Sequence, residues 1–139
     1  MSTFFAANVL VCAVDAGDPA RQNLAIDRIA RALKDDSVVL STQVLQEFYD
    51  VTTRKLKPPL SATDATSQIT QLCAFEVVGA SADSVLAAAA LAQQHRLPWR
   101  EALILEAALR ANADVLVSQE SQHGQRFGKL IVENPFLAV

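Results

Sequence analysis

Short apolar runs, each of a length that suits a buried strand, alternate along this chain with longer segments of helical periodicity. Two of them, residues 38–40 and 115–117, are rich in β-branched residues, as strands covered on both faces usually are. The others are residues 3–6, 75–79 and 130–132. Strands that alternate with helices form βαβ units, in which right-handed crossovers join parallel strands. The order therefore predicts an α/β fold, with a central parallel sheet of four to five strands between two layers of helices.

The helical segments have recognisable starts and stops. Asp18 and Pro19 form a helix-start signal, Ser41 or Thr42 can cap the next long helix, and Pro58 follows its end. We predict helices over residues 9–14, 19–34, 42–56, 61–72, 81–95 and 99–111. The last of these is apolar on nearly all sides, which predicts a central position.

Size and composition restrict the class of protein. A chain of 139 residues, 51% of them apolar, fits one domain over residues 1–139. Its longest apolar runs are far shorter than the roughly 20 residues of a membrane span, and the N-terminus lacks a basic signal-peptide region, so we expect a cytoplasmic protein. Cys12 and Cys73 match no metal or redox spacing and are predicted to be buried free thiols. With a net charge of −3, nucleic acid can bind only through a local basic patch.

Three glutamates stand where carboxylates need an explanation. Glu47 lies at the edge of an apolar helical stripe, Glu101 lies in the first turn of the most apolar helix, and Glu120 closely follows the strand at 115–117. Each also has a simpler explanation. Glu101 can complement the helix dipole, Glu47 can pair with Arg54 or another surface base, and Glu120 can be solvated on a loop.

A shared location for these acids would have chemical consequences. Clustered carboxylates repel one another, and the remedies are a divalent cation, a cationic partner or protonation of one member. Magnesium prefers a few carboxylate oxygens and retained waters, and such a site suits phosphodiester hydrolysis. Periodicity alone does not bring the three together. Other enzyme classes are disfavoured, because the chain has no Gly-rich nucleotide fingerprint, no P-loop and no nucleophile elbow.

Several segments, in order along nearly the whole chain, resemble the PIN domain family, and in particular its VapC toxins. Residues 4–11 are similar to the opening strand that ends in Asp-Thr-Asn or Asp-Ser-Asn, and residues 41–48 to the helix with the second acid. Residues 97–104 resemble the segment with Asp before Ala-Leu-Ile, and residues 116–124 the Ser-Glu-Asp segment with a following Gln-His-Gly. Residues 132–136 are similar to a common ending. The resemblance implies a PIN-like three-layer α/β/α sandwich.

The positions that match the family's acids are altered. Ala6 stands where the family has its first Asp, and a methyl group cannot ligate a metal. Ala7 replaces the usual Thr or Ser, and Glu101 and Glu120 replace Asp, so that only Glu47 matches outright. A natural pseudoenzyme, a shifted metal position and an alteration at Ala6 to disarm a toxin all remain open. The clustering of the changes at acid positions favours natural drift.

The resemblance implies an endoribonuclease that depends on Mg²⁺ or Mn²⁺. Glu47, Glu101 and Glu120 would hold the cation, Ala6 would occupy the missing ligand position, and Asn8 would orient water. Activity is then expected to be weak or lost. The residues expected to contact RNA are Arg54, Lys55, Arg100 and His123.

The alternative is a non-catalytic PIN scaffold that binds an antitoxin peptide or RNA without cutting it. By resemblance, the expected partners are an RNA substrate, a VapB-like antitoxin whose basic residue can enter the acid pocket, and a second copy in a homodimer. An arginine tolerates the spacing of carboxylates better than magnesium does.

Overall fold

The structure is a computed structural model and describes residues 1–137, so the last two residues of the predicted domain lie outside it. Strands and helices alternate along most of the chain. The strands are β1 (Ser2–Phe5), β2 (Ser37–Ser41), β3 (Glu76–Val78), β4 (Val115–Val117), β5 (Arg126–Phe127) and β6 (Leu130–Glu133). The helices are α1 (Ala7–Ala13), α2 (Pro19–Asp35), α3 (Thr42–Arg54), α4 (Ala62–Leu72), α5 (Ala82–His95) and α6 (Trp99–Arg110).

The strands form one sheet in the order β3-β2-β1-β4-β6-β5. All neighbouring pairs are parallel except β5 and β6, which are antiparallel. The predicted α/β class and the central, mostly parallel sheet are thus confirmed. The predicted strand number missed β5, because a strand of two residues is too short to show a period. Gly128, at a φ of +61°, makes the tight turn that returns the chain from β5 to β6.

Several predicted boundaries were wrong by one or more residues. Strand β1 ends at Phe5 and α1 begins at Ala7, where the prediction had a strand to Ala6 and a helix from Val9. Ala6 is the N-cap of α1, and its methyl side chain makes no capping hydrogen bond. This start carries no capping signal of the usual residue types, which is why the sequence did not reveal it. By contrast, the hydroxyl of Ser41 accepts a bond from the N–H of Val44 and caps α3 as predicted.

The core lies on both sides of β1. Phe4 and Phe5 are fully buried, and Leu40 and Leu116 of the two flanking strands are buried with them. Helix α6 packs on α5 and β2 and buries half of its residues, in agreement with its predicted central position. Trp99 at its start is 46% exposed and is therefore not a core residue.

Two further features differ from expectation or confirm it. Both cysteines are free, as predicted, but Cys73 is exposed, because it follows the last residue of α4 on the surface. Within residues 1–137, no helix combines the length and the apolar character needed to cross a membrane.

Candidate acidic site

A small pocket lies at the carboxyl edge of the parallel sheet, where sites in such folds usually form. It brings together side chains from α1, α3, α6 and the loop after β4. Its lining consists of Ala6, Asn8, Glu47, Arg100, Glu101, Ile104, Ser118, Glu120 and Ser121. The three glutamates that the sequence singled out, and the candidate Asn8, therefore share one pocket with the methyl group of Ala6.

Both carboxylate oxygens of Glu47 have partners within the protein. Gln43, one helical turn earlier, donates a hydrogen bond from Nε2 to Oε1 of Glu47 at 2.9 Å. The guanidinium Nη2 of Arg100 donates to the other oxygen, Oε2, at 3.3 Å. Of the partners left open for Glu47, Arg54 is wrong, because it bonds Asp50 at 2.9 Å on the outer face of α3, whereas another surface base, Arg100, does pair with Glu47.

Arg100 is the cation of this pocket. The same Nη2 atom that bonds Glu47 lies 3.8 Å from Oε1 of Glu120. The hydrogen bond and charge of Glu47, with smaller contributions from Glu120 and Glu101, raise the pKa of the Arg100 guanidinium above its ordinary value. Of the remedies for repulsion among the clustered acids, the structure therefore contains a cationic partner, the guanidinium of Arg100.

Among the three glutamates of the pocket, Glu101 is the one whose environment disfavours its charged form. Partial burial raises its pKa above the ordinary value, and the negative charge of Glu120 raises it further. A hydrogen bond from Ser121 and the charge of Arg100 oppose the shift without cancelling it. Protonation is thus easier at Glu101 than at an isolated glutamate.

Asn8 holds the loop after β4. Its side-chain oxygen accepts a hydrogen bond from the backbone N–H of Gln119 at 3.2 Å, and its Nδ2 donates to Oγ of Ser118 at 3.4 Å. The same Oγ accepts a bond from the backbone N–H of Glu120 at 3.2 Å. Because both ends of its amide are engaged, Asn8 positions the loop that carries Glu120.

The donor set does not fit a divalent cation as it is arranged. Among residues 1–137, no three or more His, Cys, Asp or Glu side chains are placed to hold a metal ion. The pocket has a volume of about 10 Å³, enough for about one water molecule. Magnesium needs several oxygens at near-ideal octahedral positions, but Arg100 bonds one oxygen of Glu47, and Ala6 supplies none.

A larger cleft of about 260 Å³ adjoins the pocket and shares Glu101, Glu120 and Ser121 with it. Its remaining wall combines aromatic, amide and basic groups. The ring of His95 meets that of Phe127 edge-on at a centroid distance of 5.0 Å. The other lining residues are Arg96, Leu97, Pro98, Leu105, Leu116, Gln122 and Gln125. Sequence reasoning missed Phe127, because its strand was not predicted.

The candidate RNA contacts do not gather at one place. Arg100 lies in the acidic pocket, whereas Arg54 and Lys55 are exposed around the end of α3 and do not line it. His123 lines a different cleft, which it shares with Arg28 and Glu133. Its Nδ1 accepts a hydrogen bond from the backbone N–H of Asn134 at 2.9 Å.

Arg28 is a second cation that sequence reasoning missed. Its side chain is only 6% exposed, and its Nε donates to the carboxylate of Glu133. Arg31, which is exposed, pairs with the same carboxylate at 3.4 Å. Helical periodicity placed Arg28 on α2 but gave no sign that Glu133, 105 residues later, would lie beside it.

Comparisons with known proteins agree with this architecture. A structure of VapBC2 from Rickettsia felis, bound to a DNA fragment from its promoter, is 19% identical, with a TM-score of 0.66 over 96% of this chain and 98% of the other. A toxin–antitoxin complex from Klebsiella pneumoniae is 17% identical, with a TM-score of 0.68 over 96% and 98%. VapC20 of Mycobacterium tuberculosis, a toxin that cleaves the sarcin–ricin loop, is 19% identical, with a TM-score of 0.64 over 82% and 86%.

At these identities the solved structures show a shared fold. No curated protein matches the chain. The profile of the PIN domain family, however, matches residues 4–126, which is most of the sequence. This chain belongs to the PIN domain family.

Proposed function

We propose that this chain, acting as one domain over residues 1–139, is a VapC-like endoribonuclease whose cleavage of RNA is weak. The observation that carries the proposal is the meeting of Glu47, Glu101 and Glu120 in one pocket beside Asn8. Acids from distant parts of a chain repel one another, and a cluster of them is costly unless it serves a purpose or is neutralised. The sarcin–ricin-cleaving toxin of the same fold supports RNA as the substrate class.

The proposed cofactor is Mg²⁺ or Mn²⁺, bound weakly. Glu47, Glu101 and Glu120 are the residues that would hold it, and Ala6 occupies the position of the missing ligand. In the present arrangement these groups do not fit the ion, since Arg100 bonds Glu47 and approaches Glu120. This misfit is the reason for proposing weak cleavage.

The RNA strand has room beside the acids. In this proposal a nucleotide lies in the adjoining cleft, where Phe127 and His95 offer aromatic surface and Gln122 and Gln125 offer amide groups. Arg96, which also lines that cleft, is exposed and can pair with a phosphate. Arg54, Lys55 and His123 are outside both cavities and would contact only a longer RNA.

The test is a cleavage assay on structured RNAs that include a sarcin–ricin loop oligonucleotide, with Mg²⁺ or Mn²⁺ at millimolar concentration. We expect slow cleavage that EDTA abolishes and that E47Q removes. E76Q, at an exposed glutamate of β3 outside the pocket, is the matched control and should cleave at the unaltered rate. Absence of cleavage with either metal, in the unaltered protein and in A6D alike, would reject the proposal.

A second candidate function is a PIN scaffold that binds an antitoxin peptide or RNA without cutting. The observation that favours it is the ion pairing of Arg100, because a guanidinium that already pairs with two of the three carboxylates lowers the pocket's need for a metal. Solved relatives described as VapBC and toxin–antitoxin complexes support a VapB-like partner. RNA affinity that is the same in EDTA and in Mg²⁺, without products, would favour this candidate.

We also propose a homodimer that works in the cytoplasm, where its RNA would be found. Helix α5 presents Leu86 with 69% and Val85 with 41% of their surfaces exposed, and such adjacent apolar residues suit a contact between copies. Light scattering coupled to size-exclusion chromatography tests this directly. A dimer mass that becomes a monomer mass in L86E is the expected result.

A further inference from the structure

We infer that Arg100 is the resident cation of the acidic pocket and determines which external cation the pocket accepts. Its guanidinium Nη2 lies 3.3 Å from Oε2 of Glu47 and 3.8 Å from Oε1 of Glu120. These are two of the three carboxylates that a metal would need. The inference deepens the proposed function by naming the group that keeps Mg²⁺ and Mn²⁺ out.

Charge explains why the arginine belongs there. Glu47, Glu101 and Glu120 bring up to three negative charges to one pocket, and Arg100 is the basic residue in its lining. A guanidinium satisfies carboxylates over a wider range of spacing than magnesium does, so the loss of the first acid at Ala6 and the longer side chains at 101 and 120 matter less to it. A divalent ion that entered would have to displace the guanidinium from the oxygen of Glu47 that it bonds, and the positive charge of the guanidinium would offset part of the attraction of the acids.

The small volume of the pocket also disfavours a hydrated divalent ion. The pocket itself has a volume of about 10 Å³, so an ion with several retained waters can reach its acids only from the wider cavities that share Glu101 and Glu120 with it. Burial does not hold the side chain of Arg100 in place, however, because 61% of it is exposed. Arg100 also lines an open hollow of about 470 Å³ with Pro98, Trp99, Glu101 and Glu120.

Calorimetric titration of the full protein with MnCl₂, in the absence of RNA, tests the inference. We expect R100Q to bind Mn²⁺ roughly three- to tenfold more tightly than the unaltered protein, as loss of two partly exposed ion pairs would allow. R31Q is the matched control, because Arg31 is 60% exposed and pairs with Glu133 at 3.4 Å, away from this pocket. Its Mn²⁺ affinity should equal that of the unaltered protein.

Two further variants make the result specific to the pocket. R100K keeps the positive charge but has a single ammonium group, so its Mn²⁺ affinity should fall between those of the unaltered protein and R100Q. The double variant E47Q/R100Q should lose the gain, because the carboxylate that Arg100 bonds is gone. Circular dichroism checks that each variant is folded.

Equal Mn²⁺ affinity in R100Q and the unaltered protein would overturn the inference. So would stoichiometric, micromolar binding of Mn²⁺ by the unaltered protein. Because the titration contains no RNA, these outcomes are independent of the cleavage assay, and the inference and the proposed function can fail separately.

Discussion

The side-chain oxygen of Asn8, in the first turn of α1, accepts a hydrogen bond from the backbone N–H of Gln119, 111 residues further along the chain. Through Ser118, the same side chain fixes the loop that brings Glu120 to the pocket. The separation shows how the site is assembled. An amide near the start of the chain sets the position of an acid near its end.

Substitution N8A should therefore loosen the loop as well as lower stability. The variant leaves the N–H of Gln119 without its acceptor and removes one of the two hydrogen bonds that Ser118 Oγ accepts, and we expect the free energy of unfolding to fall by about 1–2 kcal/mol. Urea denaturation measures the change. N8D keeps the acceptor but adds a carboxylate to the acidic pocket, so it should not restore the lost stability. Unaltered hydrogen exchange at the amides of Gln119 and Glu120 in N8A would contradict this role.

The raised pKa of Glu101 predicts a dependence of stability on pH. Because its pKa is higher in the folded than in the unfolded protein, the folded state holds the proton more tightly, and its stability falls as pH rises from the ordinary glutamate pKa through the raised one. E101Q lacks this loss. The unfolding free energy of E101Q minus that of the unaltered protein should therefore increase as the pH rises above the ordinary pKa of a glutamate, as measured by urea titrations at a series of pH values.

The contribution of the Glu120 charge to the raised pKa of Glu101 can be measured directly. Since the charge of Glu120 contributes to the shift, E120Q should lower the pKa of Glu101 toward its ordinary value. An NMR titration of the Glu101 carboxyl carbon measures this. E76Q is the control, and a Glu101 pKa that is equal in E120Q and E76Q would contradict the coupling.

Two substitutions at Ala6 distinguish the effect of a helix cap on stability from the effect of an added negative charge. As the N-cap of α1 it makes no side-chain bond, so A6S should stabilise the protein by about 0.5–1 kcal/mol. A6D supplies the same kind of cap but adds a carboxylate to the acidic pocket. Without metal it should be less stable than A6S, by on the order of 1 kcal/mol.

Addition of Mn²⁺ to these two variants then reports on the pocket. A metal that binds only the folded state adds about 2.7 kcal/mol at 100 times its Kd, so the melting temperature of A6D should rise more than that of A6S. Equal shifts in both would mean that position 6 does not face the cation site.

Arg28 and Glu133 predict a stability effect outside the acidic site. E133Q would leave a guanidinium that is 6% exposed without its counter-charge, and we expect a loss of about 2–3 kcal/mol in urea denaturation. R31Q removes only an exposed pair with the same carboxylate and should change stability by less than about 1 kcal/mol. R28M/E133Q should recover part of the loss, because it removes the buried charge as well.

Much of the fold could be predicted because periodicity and capping are local. The start of α2 at Pro19 and the capping of α3 by Ser41 depend on neighbouring residues, and both were predicted correctly. The two-residue strand β5 was missed for the same reason, since it exists only through its pairing with β6. Local patterns do not record such pairings.

Local sequence patterns also failed to predict which residues meet in the acidic site. Periodicity put Glu47 at a core boundary and Glu101 at a helix start, but the residues alone did not bring them together, and only the resemblance suggested that they meet. A pair of Glu47 with a surface base was one alternative, but the sequence did not indicate that the base is Arg100, 53 positions away. This pair depends on how α6 lies against the sheet, which no single segment specifies.

The position of β1 between β2 and β4 has a consequence for folding during synthesis on the ribosome. Strand β1 lies in the middle of the sheet but is synthesised before both of its neighbours, and one of them, Val115–Val117, follows it by 112 residues (Thr3 pairs with Val115). The apolar residues Phe4 and Phe5 therefore stay partly uncovered until residue 117 has been synthesised. Chains that stop before residue 115 lack one neighbour of the central strand, so we expect them to expose apolar surface that chaperones and proteases recognise.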